Sequence, residues 1–258
     1  HSMTVFDPRT HKADPSVRQS LIAPAPRTAV RAGDFEAAPF MWAEGGPTNS
    51  GRVEGTAEAL ATGVAPALRP IQSMEDVFVR MPHGVDAQPG TRLLVYRLSD
   101  VFVGKGQVVV PAGVLRVVAA LDGDRARATV VQKFEEVHIG DGLMPLDTLA
   151  MPDNVFPSRV EFGLSTRIRW VYANPRLPAR GTPLILDAGA AQGLVPGDQV
   201  TVRSAAGATP GTTGLPTSDV AVAQIVRVTQ WGASAMLIDV RAAGIEPGAQ
   251  AVVTAKMP

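Results

Sequence analysis

Cysteine is absent from the 258-residue chain, so it can build no disulfide framework, thiolate metal site or thiol nucleophile, and the redox compartment is left open. Lysine is scarce, confined to Lys12, Lys105, Lys133 and Lys256. The 24 basic residues meet 24 acidic ones, for a formal net charge of zero. A nucleic-acid or anionic-membrane surface needs clustered excess Lys and Arg, so no nucleic-acid partner is expected. No apolar run approaches the ~18 residues of a membrane-spanning helix, and no stretch of these residues reads as a signal peptide. His1-Ser2-Met3 has the look of a tag remnant. It sets the expectation of a longer protein, with any export signal or upstream domain cut away.

What the chain does have is a repeat. Thr182–Arg203 runs T-P-L-I-L-D-A-G-A-A-Q-G-L-V-P-G-D-Q-V-T-V-R. Its short apolar run, glycine/proline punctuation and closing alternation predict strand, tight turn, strand. Val77–Tyr96 is a second copy, placing Val77 on Leu184, Val79 on Leu186 and Pro89-Gly90 on Pro196-Gly197. Further along, Val114–Val118 matches Ile225–Thr229, Arg127–Val131 matches Ala235–Asp239, and Ile139–Asp141 matches Pro247–Ala249. The copies then differ by loop insertions, which cost little where a slipped register costs much. Each copy offers about five short strands, which close most simply as a small SH3-like or OB-like barrel with no exposed edges; two packed sheets would give a similar pattern. Pro-Gly before Asp or Thr predicts type II turns with Gly90 and Gly197 at the positive-φ position, while Asp187 and Gly193 mark the turn between strands.

The predicted order is therefore a tag remnant at 1–3, an arm at 4–50, a first β module at 51–146, a linker at 147–158 and a second module at 159–258, with little helix anywhere. The arm is proline-punctuated and without period through Thr28. It then carries Phe35, Phe40, Met41 and Trp42, large apolar and mostly aromatic residues that predict docking onto the folded body. Thr56–Leu68 reads as one short helical turn, Ser204–Ser218 as a mobile loop, and Asp147–Pro157 as a semi-rigid joint.

The paired stretches D-A-G-A-A-Q-G-L-V-P-G-D-Q-V-T-V-R and V-A-Q-I-V-R-V-T-Q-W-G-A-S-A-M-L-I-D resemble the C-terminal region of LysM-containing bacterial envelope proteins. They are similar to the C-terminal domain of flagellar assembly protein T and to type IV pilus secretin-associated proteins. The resemblance spans roughly residues 30–255, better in the second copy, and nothing in the chain matches LysM itself. It implies a periplasmic, non-enzymatic scaffold serving an envelope complex such as an outer-membrane secretin. Any contact with peptidoglycan would run through an upstream domain.

The chemical constellations are few, and no cofactor site is expected. Asp187-Ala188-Gly189-Ala190 superficially resembles the active-site turn of retroviral-type aspartic proteases. That chemistry needs two carboxylates sharing a proton, and this chain has Ala188 where the family has a hydroxyl. The alternative is a turn whose aspartate caps backbone N–H groups. His138 near Glu135, Glu136 and Asp141 offers too few convergent ligands for a metal; strand alternation would put Glu136 and His138 on one face. His83 lies in a turn beside Gly84. No G-x-S-x-G elbow and no phosphate loop is present. Arg167, Arg169, Trp170 and Tyr172 form a basic-aromatic strand that could stack on a sugar, peptide or base, with Arg167 and Arg169 opposite Ile168 and Trp170. Two readings remain: an interaction scaffold, or a carbohydrate- or peptide-binding β module. An aspartic hydrolase on Asp187 is a weaker third.

Overall fold

A computed structural model describes residues 27–57, 69–204 and 218–258; most of the Thr56–Leu68 turn and the Ser204–Ser218 loop lie outside them. The protein is mainly β. Fourteen strands form two sheets, and one short helix, α1 (Ala32–Ala37), precedes them among the described residues. The first sheet contains β1 (Phe40–Trp42), β2 (Gly51–Thr56), β3 (Asp76–Arg80), β4 (Arg92–Phe102), β5 (Gly106–Ala120), β6 (Arg125–Lys133) and β7 (Gly142–Pro145). The second contains β8 (Ser158–Arg159), β9 (Ser165–Val171), β10 (Pro183–Leu186), β11 (Gln199–Arg203), β12 (Asp219–Thr229), β13 (Gly232–Val240) and β14 (Gln250–Lys256).

Both sheets close on themselves. The first runs β6-β5-β4-β7-β2-β3 and returns to β6; the second runs β13-β12-β11-β14-β9-β10 and returns to β13. Every consecutive strand of the first ring has its counterpart at the same place in the second. The rings hold six strands rather than five, because β2 and β9 complete the closure.

The bulges repeat too. In β2, Val53 faces Val79 and Gly55 faces Phe78, with Glu54 left between them. In β9, Ile168 faces Leu186 and Trp170 faces Ile185, with Arg169 left between them. Two of the sequence matches need correction. Gly90 N–H donates to Val117 O at 2.8 Å, as Gly197 N–H does to Ile225 O at 2.7 Å. Val117, not Val114, is therefore the counterpart of Ile225. Strand pairing likewise makes Ala128, which faces Val77, and not Arg127, the counterpart of Ala235, which faces Leu184. The three-residue error came from aligning Arg116 with Arg227; Arg116 is exposed on its strand and Arg227 is buried.

Alternation accounts for the cores. Val77, Val79, Leu93, Val95 and Leu115 point into the first ring, and Leu184, Leu186, Val200, Val202 and Ile225 into the second. Ile185, between two inward residues, is also fully buried, but against Met41, Val108 and Val110 of the first ring's outer side. A strand buried on both faces loses its polar alternation, which is why Leu184–Leu186 is continuously apolar. The rings are thus packed together, not strung on a linker.

The Pro-Gly turns have the expected form. Gly90 and Gly197 have φ +94° and +99°, and Thr91 and Asp198 N–H close them onto Gln88 and Val195 O at 3.0 and 3.2 Å. A β-carbon on Gly197 would also meet Met257 at 2.7 Å. Gly197→Val is expected to cost about 1–3 kcal/mol of backbone strain, read as a lowered denaturation midpoint. An unchanged midpoint would contradict the turn.

Helix α1 was not anticipated, and the arm docks through it. Phe35 packs with Val30 and Ala38 on Val226 of β12, with Leu149 and Met151 of the linker alongside. The chain then crosses to the first ring, where β1 pairs with β5 at Val108 and Val109. Phe40 joins Leu94, Tyr96 and Val109 in the cluster beneath it.

Candidate functional site

The predicted basic-aromatic strand is β9, and the structure turns its outer side toward the first ring. The bulge at Arg169 breaks strict alternation. Ile168 therefore points into the second ring, while Trp170 leaves it and packs beside Ile185, so those two do not share a face as expected. Trp170 Nε1–H donates to Asp100 Oδ2 at 2.6 Å, and Tyr172 O–H donates to Glu135. That bond, with burial added, holds the Tyr172 phenol above the usual tyrosine range. Arg167 stays exposed on β9, away from this joint.

Glu135 also accepts from Arg97 Nη2 at 3.0 Å. Arg97 lies 3.8 Å from the buried Asp141 carboxylate. Burial pushes the Asp141 carboxyl up from its ordinary range, opposed by the His138 N–H that it accepts and by Arg97. Between the rings these groups flank a cleft of about 440 Å³, lined by Arg97, Asp100, Glu135, Trp170, Tyr172 and Asn174 among others. Glu135 is held by Arg97 and Tyr172, and Asp100 by Trp170, while the buried Arg97 Nε has no hydrogen-bond partner among the described residues.

Asp187 does not cap a turn. Its carboxylate takes Arg169 Nε–H at 2.6 Å, and the Arg169 guanidinium, only 9% exposed, also reaches Trp231 O at 3.0 Å and Lys105 O at 3.4 Å. The neighbouring N–H groups go elsewhere: Ala188 donates to Thr166 Oγ1 and Gly189 to Gln192 Oε1. Gly189 is glycine because a β-carbon there would lie 2.4 Å from Thr229 O. The corresponding pair in the first ring has its charges exchanged. Arg80 stands where Asp187 stands, Glu54 where Arg169 stands, and they meet at 2.9 Å.

The capping aspartate of this region is Asp198, fully buried, which accepts Val195 N–H at 3.2 Å and Met257 N–H at 2.8 Å. Gly193 ends a 3-10 turn at φ 73°, and its carbonyl accepts Lys256 Nζ–H at 2.7 Å. His138 and Glu136 do adjoin, at 3.6 Å, but in a loop rather than a strand. No group of three His, Cys, Asp or Glu that could hold a metal occurs among the described residues.

Sequence reasoning missed Arg227. Its side chain is 5% exposed and lies 4.6 Å from the Phe35 ring centre and 3.9 Å from that of Phe40, with Asp147 of the linker as ion-pair partner. Burial pulls its pKa below the usual arginine value, and the Asp147 charge opposes this. One guanidinium thereby joins arm, linker and second ring. The signal for it was an arginine in the middle of an otherwise apolar strand. No helix is long and apolar enough to cross a membrane among the described residues. Set beside known proteins, the chain matches no family model and no curated sequence.

Proposed function

We propose that the chain is a non-enzymatic interaction module of a bacterial cell envelope: two SH3-like barrels, periplasmic, scaffolding a complex such as an outer-membrane secretin. Peptidoglycan would be reached only through an upstream LysM-type domain. The observation that favours a scaffold is the exchanged ion pair. The one carboxylate with a protease-like setting, Asp187, is committed to Arg169 at 2.6 Å, and the repeat keeps that bond while reversing its ends. A dyad needs a carboxylate free to share a proton with a second one. The location and the partner class rest on the resemblance of the repeat motifs.

The test has two arms. Wild type and Asp187→Asn are incubated with unfolded protein from about pH 4 to 7, the range in which a carboxylate dyad titrates. Purified secretin rings are then sedimented with the chain. Silence in the first arm and co-sedimentation in the second is the expected result. Cleavage lost in Asp187→Asn would replace the scaffold by an aspartic hydrolase, and a chain left in the supernatant would remove the secretin as partner.

A further inference from the structure

Where the arm, the linker and the second ring meet, a cleft of about 720 Å³ remains open, within the size range of small-ligand sites. Its walls include Phe35, Trp42, Asp147, Thr148, Gln230 and Trp231. Trp42 comes from β1, and its ring meets Phe40 edge-on at 6.1 Å. Gln230 and Trp231 are the two-residue turn between β12 and β13. Both indoles are half-buried, each anchored against a hydrophobic cluster.

The polar groups here are of a particular kind. The indole N–H groups of Trp42 and Trp231, the Thr148 hydroxyl and the Gln230 amide have no hydrogen-bond partner among the described residues, in contrast to Trp170, whose N–H is taken by Asp100. The lining charges, Asp147 and Arg227, cancel in their own ion pair, yet the Asp147 side chain stays 56% exposed and keeps lone pairs free to accept. The cleft therefore presents flat apolar faces, uncommitted donors, uncommitted acceptors and no net charge. An anionic ligand would find no free cation, and a cationic one only a neutralised carboxylate. A proline-rich segment would use the indoles and donors but, lacking N–H groups at proline, would leave the acceptors idle.

We infer that this cleft binds a neutral saccharide, its C–H face on the Trp42 and Trp231 rings and its hydroxyls on Asp147, Thr148 and Gln230. The inference does not depend on the envelope scaffold or its partner. Nothing in it requires a bond to be made or broken.

The test follows the three indole N–H resonances of the full chain by NMR, assigned with single Trp→Phe variants, during titration with chitotriose, cellotriose and maltotriose. Binding of at least one sugar is expected with a Kd of about 0.1–1 mM. The Trp42 and Trp231 resonances should move while Trp170 stays in place. Trp231→Ala should weaken binding about tenfold or more. Thr148→Val with Gln230→Ala, both exposed and outside the core, should weaken it severalfold without altering the melting temperature, so that loss of fold is not mistaken for loss of site. No shift with any of the three sugars overturns the inference. So does a shift produced by a proline-rich decapeptide and by no sugar, or a shift confined to Trp170.

Discussion

Arg227→Ala is expected to release the arm. The substitution removes a buried guanidinium from between Phe35 and Phe40 and leaves Asp147 without its partner. Desolvated cation–π contacts reach about 2 kcal/mol each, and breaking a fully buried ion pair costs about 3–5 kcal/mol. Asp147 is more than half exposed and can return to water, so the combined loss should fall near 2–4 kcal/mol, the larger part of it from packing. At about 2–4 °C per kcal/mol for a chain of this size class, the melting temperature should drop by roughly 5–15 °C. Trypsin should cut faster at Arg27 and Arg31. Arg227→Met separates charge from shape: it refills the slot, and because Asp147 can hydrate, it should recover more than half of the loss. Arg227→Lys should do worse than Met, having no planar group to lay between the rings. An unchanged melting temperature and trypsin pattern in Arg227→Ala would show that the arm is held by something else.

The second large effect is expected from exchanging a pair of charges. Asp187→Arg alone sets a second guanidinium against Arg169, which is 9% exposed, and should cost about 2–4 kcal/mol. Combining it with Arg169→Glu recreates in the second ring the pair that Glu54 and Arg80 form in the first. The double variant should regain at least half of that loss. It should not regain all of it, because a glutamate cannot donate to Trp231 O and Lys105 O as Arg169 does. A coupling of about 1–3 kcal/mol across the four proteins, measured by denaturant titration, is the outcome that matches the repeat. Additive effects would mean that the two positions are equivalent only in their backbone.

How much of this could be read from residues alone depends on where backbone geometry dictates side-chain identity. Pro89-Gly90 and Pro196-Gly197 were legible because a type II turn demands φ > 0 at one position, and so were the inward Val77/Val79 and Leu184/Leu186 pairs, because a pleat imposes period two. The bulge at Arg169 was not. A bulged residue leaves no compositional mark, and one uncounted residue reversed the side assigned to Trp170. The misplaced match of Val114 to Ile225 has a related cause: arginine on a strand usually means a solvent face, and Arg227 is the exception. Helix α1 is six residues long, too short for a hydrophobic period to emerge. Phe35 in the helix and Phe40 and Met41 in β1 are buried, the residues on which the expectation of a docked arm rested. Of the predicted surface residues Arg169, Trp170 and Tyr172, the types were right for a joint, but only the three-dimensional neighbours reveal that the first ring already occupies that side.

The route of the chain has a mechanical corollary. The arm lies first on the second ring through α1, then adds β1 to the first ring, and only afterwards does the first ring begin. A pull on the arm would therefore not load the rings directly. Each ring is a closed cycle of strands in which several hydrogen bonds must yield together, whereas α1 is one short helix held by Phe35, the Arg227 clamp and a Glu36–Arg92 ion pair, and β1 is a three-residue strand beside which Pro39 O accepts the Ser234 hydroxyl. Tension should peel these two attachments in order while both barrels stay intact. The arm would then act as a release link of defined strength, set largely by one arginine between two phenylalanines.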